Sequence, residues 1–408
     1  MPAALCDFRF LRSNQPLSLY FFAVPRLCLD LLGCWPREGG KIPWRALFHF
    51  LVLGIGVATE LHAGFVFAQN KQLDMALETF CPAGTSAVTL LKMCLMHYYR
   101  HDLCYVLKQL KLLLYRRQDQ TMEKRLILHQ HSVMAARINF WPLSAGFATA
   151  STYNLMPLLL PLLLYLQGSQ QDIVWNMPFN MTMPQFLLGA PFFPLTYVFS
   201  GYTAYTTIFM FAGCDGFYFE YCVHMATLFQ SMECDLRAYF KPYQRQVATL
   251  ASDGEFEKFM VALVRRHNVI LRLTHFFRQR YMIITMAHFM SASLVIGFSI
   301  FDLLTMGGND LLNMLLYMVY TVAALSQLFI YCYGGTLVAE SSSHLATAMG
   351  MCPWQLCTPR QRVYVRLFMM RSQRALTMTV PFFCPSLATF AAILQTSGSI
   401  IALAKSCQ

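Results

Sequence analysis

Stretches of more than ~20 predominantly apolar residues recur from one end of this chain to the other, each long enough to cross a hydrocarbon core of ~30 Å. Backbone inside lipid must satisfy its own N–H and C=O groups, so runs of this kind become helices. They fall at 44–68, 73–97, 138–166, 189–221, 281–305, 311–338 and 375–404, which predicts an all-α membrane protein with seven transmembrane helices. Composition agrees: 12% of residues are charged and the mean hydropathy is +0.44, against a charged fraction of about 25% in soluble domains. The N-terminal apolar patches Leu17–Val24 and Leu27–Leu32 are short and split by Pro25-Arg26, so insertion is expected to use the first span and not a cleaved leader.

The basic residues set the orientation. Arg9, Arg12, Arg26, Arg37 and Lys41 precede span one, and Arg100 to Arg125 follow span two. A third group from Arg237 to Arg280 follows span four, and Arg360, Arg362, Arg366, Arg371 and Arg374 follow span six. All lie on one face, with only Lys71 and Lys405 on the other. The positive-inside rule makes the rich face cytosolic, placing the N-terminus in the cytosol and the C-terminus outside. It also accounts for the net charge of +11 without nucleic acid, for which no soluble basic fold is available. The sequon Asn180-Met181-Thr182 then falls outside, making Asn180 a candidate glycosylation site. A cytosolic N-terminus argues against a G-protein-coupled receptor, and neither an acidic-Arg-Tyr triplet nor an N-P-x-x-Y motif occurs where such a receptor needs it. The chain therefore reads as a single domain over 1–408, with cytosolic segments 1–43 and 222–280 and a broken seventh span at 375–404.

Several features bear on function. Phe256, Met260, Leu263, His267, Ile270, Thr274 and Phe277 recur at alternating spacings of four and three, a helical stripe that fits packing within the chain or a subunit seam. Pro381 and Pro385 break the seventh span, and the helix beyond carries Thr389, Gln395, Thr396, Ser397 and Ser399. Such a stripe lines a water-filled path or packs helix against helix. Asp74, Glu78, Asp172, Asp302 and Asp310 gather at the outer ends, a vestibule for cations or ordinary interfacial solvation. In the outer half, Tyr197, Phe199, Tyr202 and Tyr205 of span four accompany Tyr317 and Tyr320 of span six and Ser151, Tyr153 and Asn154 of span three. An apolar, aromatic cavity with a few hydroxyls suits small volatile molecules.

Catalytic and metal signals are poor. Fourteen cysteines include no C-x-x-C pair and read as reduced packing residues. His97-x-x-x-His101 has the spacing of one diiron box, but His129-x-His131 does not supply the others, and no H-E-x-x-H, G-x-S-x-G or P-loop is present. A membrane enzyme is thus the weaker alternative, and no cofactor is expected.

One pattern spans the C-terminal third. Phe329-Ile-Tyr331-Cys332-Tyr-Gly334-Gly335 leads to Glu340-Ser341 and Trp354, then Met370-Arg371-Ser372-Gln373, and finally Leu387-Ala-Thr389-Phe390 with Ile393, Leu394, Ser397 and Ser399. This resembles the C-terminal signature of the insect odorant receptor family. Gustatory receptors are similar, but their seventh span carries T-Y, five hydrophobics, then Q-F. Here Gln395 follows Thr389-Phe390 too early for that, and no Phe follows it. The tail Ile400-Ile401-Ala402-Leu403 lacks the aromatic pair often found after the final serine, and the long insertion between spans four and five that marks the shared co-receptor is missing. The resemblance implies a ligand-tuning subunit of a ligand-gated, non-selective cation channel in the plasma membrane of sensory neurons. It further implies a heterotetramer with the co-receptor, odorant bound among spans two, three, four and six, and a pore lined by the last helix.

On that reading the expected pocket residues are Phe147, Ser151, Asn154, Tyr202 and Tyr317, and the expected pore residues Thr396, Ser399, Ile400 and Leu403. Burying ~200 Å² of apolar ligand surface at ~25 cal/mol per Å² yields about 5 kcal/mol before binding costs, which corresponds to micromolar affinity at best.

Overall fold

The apolar runs and their polar continuations form helices in a computed structural model that describes residues 8–12, 15–39, 42–115, 121–166, 177–189, 191–244, 253–305 and 311–406. After a 3₁₀ turn at Phe8–Leu11 come α1 (Leu17–Tyr20), α2 (Ala23–Leu31), α3 (Trp44–Gln69), α4 (Leu73–Tyr98), α5 (Arg100–Leu114), α6 (Met122–Leu166) and α7 (Gln185–Leu188). Then follow α8 (Phe193–Phe240), α9 (Asp253–Thr305), α10 (Leu311–Gly350), α11 (Pro359–Ser372) and α12 (Leu387–Ser406). Among the described residues there is no strand, only an isolated bridge between Val380 and Phe383.

Among the described residues, four helices are apolar and long enough to cross a membrane on length and composition alone: Trp44–Gln69, Glu78–Tyr98, and stretches of α9 and α10. The other helices of 20 residues or more are α6, α8 and α12. At 1.5 Å per residue, α8 with its 48 residues is about 72 Å long, more than twice a bilayer core. Helices α6, α8, α9 and α10 are all longer than a bilayer core of ~30 Å requires, and their surplus lengths form a projecting region in which they pack together.

That projecting region settles the helical stripe on α9. Phe256, Met260, Leu263, His267, Ile270, Thr274 and Phe277 are all buried within the single chain. Phe277 stacks on Tyr221 of α8 with centroids 3.8 Å apart, and His267 sits edge-on between Phe229 and Phe368. The stripe is intrachain core and not a subunit seam. Asp253 at the start of α9 accepts from Thr358 and Gln361, the pair that caps α11. The N-terminal segment hooks onto α6 and α8: the Phe22 N–H donates to the Glu220 carboxylate, which also accepts from Asn139 of α6.

The seventh span begins later than its apolar run. Residues 373–386 are not helical, and α12 starts only past Pro385, because proline supplies no backbone donor and disfavours helix at the residue before it. Helix α10 holds this segment in place: Ser342 accepts from the Leu376 N–H, and Thr336 from the Leu387 N–H. Gly335 is where the chains touch, since any Cβ there would overlap the Pro385 carbonyl. This gives the Gly334-Gly335 motif a structural reason. Every cysteine among the described residues is free. Asp172 and Asp310, and the side chains of Asp74 and Asp302, from the expected acidic vestibule, lie outside the described residues.

Candidate functional site

Helices α6 and α8 face each other through residues spaced to share one side of each helix. On α8, Tyr197, Gly201 and Tyr205 recur every four positions, and on α6 Phe147, Ser151 and Asn154 recur at four and three. The Ser151 hydroxyl lies 3.1 Å from the Tyr205 hydroxyl, and Phe147 packs against the Tyr205 ring with centroids 5.2 Å apart. Tyr197 donates to the Asn154 carbonyl, in a stretch of α6 weakened by Pro157 and Pro161. The Asn154 side chain donates to the Ala150 carbonyl at 2.7 Å, while its own carbonyl oxygen faces Gly201.

Three of the five expected pocket residues therefore come together. Tyr202 does not join them. It is turned about 100° round α8 from Gly201 and stacks on His49 of α3, with its hydroxyl 2.9 Å from Nδ1. The side chain of Tyr317 lies outside the described residues.

A second group adjoins the first, built on Tyr153 and Tyr320, which the sequence places among the outer-half aromatics but not among the five expected pocket residues. Tyr153 of α6 lies flat on Phe179 (5.5 Å, 9°) and edge-on to Tyr320 of α10 (6.1 Å), whose hydroxyl is buried against Cys81 and Thr85 of α4. The sequence carried the signal, because Tyr320 is one helical turn from Tyr317. Phe179 belongs to a loop that dips between α3 and α4. The Asn180 amide donates to the Thr79 hydroxyl (3.3 Å), Thr182 N–H donates to the Thr59 carbonyl, and the Thr182 hydroxyl meets His62. The sequon thus packs against α3 and α4.

Deeper in the bundle is a fully buried ionic cluster. The Lys92 ammonium of α4 lies 2.6 Å from the Asp215 carboxylate of α8 and 3.6 Å from the centroid of the Phe211 ring. Tyr331 of α10 donates to the same carboxylate oxygen at 2.8 Å, and His288 of α9 lies 3.3 Å from the ammonium. Four helices meet at one charge pair. Opposite charges on two apolar spans are themselves a pairing signal, since an isolated charge in lipid is costly.

On α12, Thr396 and Ser399 are exposed, and their hydroxyls donate back to the Ala392 and Gln395 carbonyls at 2.8 and 2.9 Å. The helix packs mainly on α9 and α10 and leaves Leu394, Gln395 and Thr396 uncovered. Ile400 and Leu403 continue the helix, but their side chains lie outside the described residues. No group of metal-ligating side chains occurs among the described residues.

Long apolar helices packed around an aromatic, hydroxyl-bearing region and ending in a partly uncovered last helix define the class as a multi-pass helical membrane protein. A family model described as 7tm Odorant receptor matches residues 72–398, and the chain belongs to that family. It is 58% identical to odorant receptor 10a of Drosophila melanogaster across 98% of this chain and 99% of that one. Odorant receptor 22c of the same fly is 33% identical across 96% and 98%. The fold matches the insect olfactory receptor OR5 from Machilis hrabei with a TM-score of 0.75 at 12% identity, covering 96% and 99% of the two chains. The same receptor in complex with eugenol matches with a TM-score of 0.75 at 11% identity, over 98% and 100%. The chain is a receptor and not an enzyme, and within the family it is an odorant receptor, not the co-receptor.

Proposed function

We propose that this receptor is the ligand-tuning subunit of an odorant-gated, non-selective cation channel in the plasma membrane, assembled with the co-receptor as a heterotetramer. It crosses the membrane seven times with its N-terminus in the cytosol and its C-terminus outside. A small volatile odorant binds in the outer half, where α4, α6, α8 and α10 meet, near Phe147, Ser151 and Asn154, with Tyr317, Tyr153 and Tyr320 from neighbouring faces. Eugenol, carried by the Machilis receptor, is a ligand of the size and polarity this region suits.

The observation that carries the channel reading is α12. It starts afresh after a proline-broken segment, packs on two helices of its own chain and leaves a hydroxyl-bearing face uncovered. Four such faces around an axis make a pore, with Thr396 and Ser399 along it and Ile400 and Leu403 as its apolar constriction. The direct test records current from cells expressing this chain with the co-receptor while odorants are applied. Prompt odorant-evoked cation current is expected, and second-messenger accumulation without current would refute it. Leu403→Ala is expected to alter constitutive current or ion selectivity, and unchanged conduction would move the pore elsewhere.

A further inference from the structure

Several cations around the projecting helices have acidic partners. Arg280 meets Asp102 at 2.8 Å, Arg266 meets Asp235 at 2.8 Å, and Arg237 meets Glu233. One concave site lacks them. A cleft of about 460 Å³ opens between α9 and the segment after α11, lined by Arg272, His275, Arg278, Gln279, Arg371 and Thr377 among others, with no carboxylate in its wall.

The guanidiniums there are only lightly engaged. Arg272 reaches the Asn268 carbonyl at 3.4 Å, and Arg371 forms no hydrogen bond or ion pair among the described residues. Arg278 donates to Thr379 at 3.1 Å and to the Thr377 carbonyl at 3.4 Å, and lies 3.1 Å from His275 Nδ1. Three guanidiniums around one concavity repel one another unless an anion sits between them. The positive field is also felt by His267, which Arg371 helps to keep neutral.

We propose that this cleft binds a multiply phosphorylated anionic headgroup of the phosphoinositide type. The guanidinium fork matches phosphate oxygens two at a time, which a point charge does not. The volume lies within the ~300–1,000 Å³ range of small-molecule sites. Position supports a lipid source: α9 enters the apolar stretch at about residue 281, about one turn from Arg278 and about two and a half from Arg272, and basic pockets on the cytosolic side of membrane helices take such headgroups. That placement rests on the proposed orientation. Thr377 and Thr379, which Arg278 grips, lie on the segment leading to α12, so an anion that draws Arg278 into the cleft loosens that grip and biases the gate.

The test uses the full-length chain in neutral phosphatidylcholine nanodiscs with fluorescent phosphatidylinositol 4,5-bisphosphate as probe. Wild type is expected to bind it. Arg272→Gln/Arg371→Gln should weaken binding by about tenfold or more, since one lost charge-assisted contact is enough for that. Arg272→Lys/Arg371→Lys keeps the charge but not the fork, and should fall between. Soluble inositol trisphosphate competing as well as the lipid would identify the free headgroup as ligand, and failure to compete would identify the lipid. Equal binding by wild type and the glutamine variant, or displacement by phosphatidylserine charge for charge, would overturn the site. In excised patches of the receptor with its co-receptor, removing the lipid from the cytosolic face should change odorant current in wild type and not in the glutamine variant. A wild-type response confined to the outer face would refute the orientation while leaving the nanodisc result standing.

Discussion

Lys92→Met isolates what the buried charge pair contributes. Both side chains are almost completely buried, and at 2.6 Å with an effective dielectric of ~20 their attraction is about 6 kcal/mol before desolvation. Desolvation offsets much of that, so the pair adds little relative to an apolar replacement. Removing one partner is different: Asp215 keeps only the Tyr331 hydroxyl and becomes an uncompensated buried carboxylate, at a cost of about 3–5 kcal/mol. Lys92→Met/Asp215→Asn removes both charges and keeps an acceptor for Tyr331, so it should lose no more than about 1–2 kcal/mol. At about 2 °C per kcal/mol for a large chain, the single variant should melt roughly 6–10 °C lower and the double variant only a few degrees lower. The assay is detergent-solubilised thermal unfolding followed by fluorescence-detected size exclusion, read as a double-mutant cycle. His288 lies 3.6 Å from the second carboxylate oxygen and could stand in for the lost ammonium, so His288→Phe in the Lys92→Met background closes that route. A double variant as unstable as the single, or additive losses, would falsify the coupling.

Other predictions test the gate segment, the pocket and the projecting helices. Gly335→Ala places a methyl against the Pro385 carbonyl and should cost about 1–3 kcal/mol or more, seen as lost surface expression or lost odorant current; wild-type current would mean the break is not held there. Tyr320→Phe should shift odorant sensitivity by roughly three- to tenfold, with conductance unchanged, while Tyr202→Ala, turned towards α3, should shift it less; the reverse order would move the pocket to α3. His267 lies outside the spans with its pKa lowered from 6.5 to about 4 by burial and then by Arg371, so it folds neutral. Its contribution is whole above pH 6.5 and is lost as pH falls towards about 4, because the unfolded chain takes up a proton the folded one refuses. His267→Phe should therefore flatten the acid limb of the melting temperature, and an unchanged pH profile would show that the ring titrates normally.

The apolar runs made the helices legible, and the Pro381 and Pro385 pair made the break legible, because hydrophobic length and missing backbone donors are local properties. The α9 stripe was legible as a helix face but not as to its partner. Period alone does not distinguish a core from a seam; the covering surface comes from the long α8 and α10 and from α11, whose Phe368 meets His267. The neighbours of Tyr202 were not legible for a similar reason: which helix it faces depends on the rotation of α8 against α3, which one position on α8 does not fix. The Lys92–Asp215 pair is joined across 123 positions of sequence, so the charges were visible and the contact was not.

The same cluster offers a physical connection from the middle of the bundle to the proposed gate. Tyr331 holds Asp215, stacks on His288 and Tyr218 at 4.5 Å, and touches Phe289 at 6.0 Å. Phe289 in turn packs on Phe383 at 4.3 Å, in the segment that leads into α12. Proximity alone does not make these residues a pathway; what is needed is an element with two arrangements that odorant and gate both bias. The proline-broken segment is the natural candidate, because its N–H groups are held by the side chains of Thr336 and Ser342 and not by a helical ladder. On this hypothesis Phe289→Ala weakens the coupling of odorant to opening: maximal odorant current falls, while spontaneous openings and odorant affinity measured by binding change little. If affinity and maximal current instead fall together, Phe289 acts on the pocket and the connection runs elsewhere.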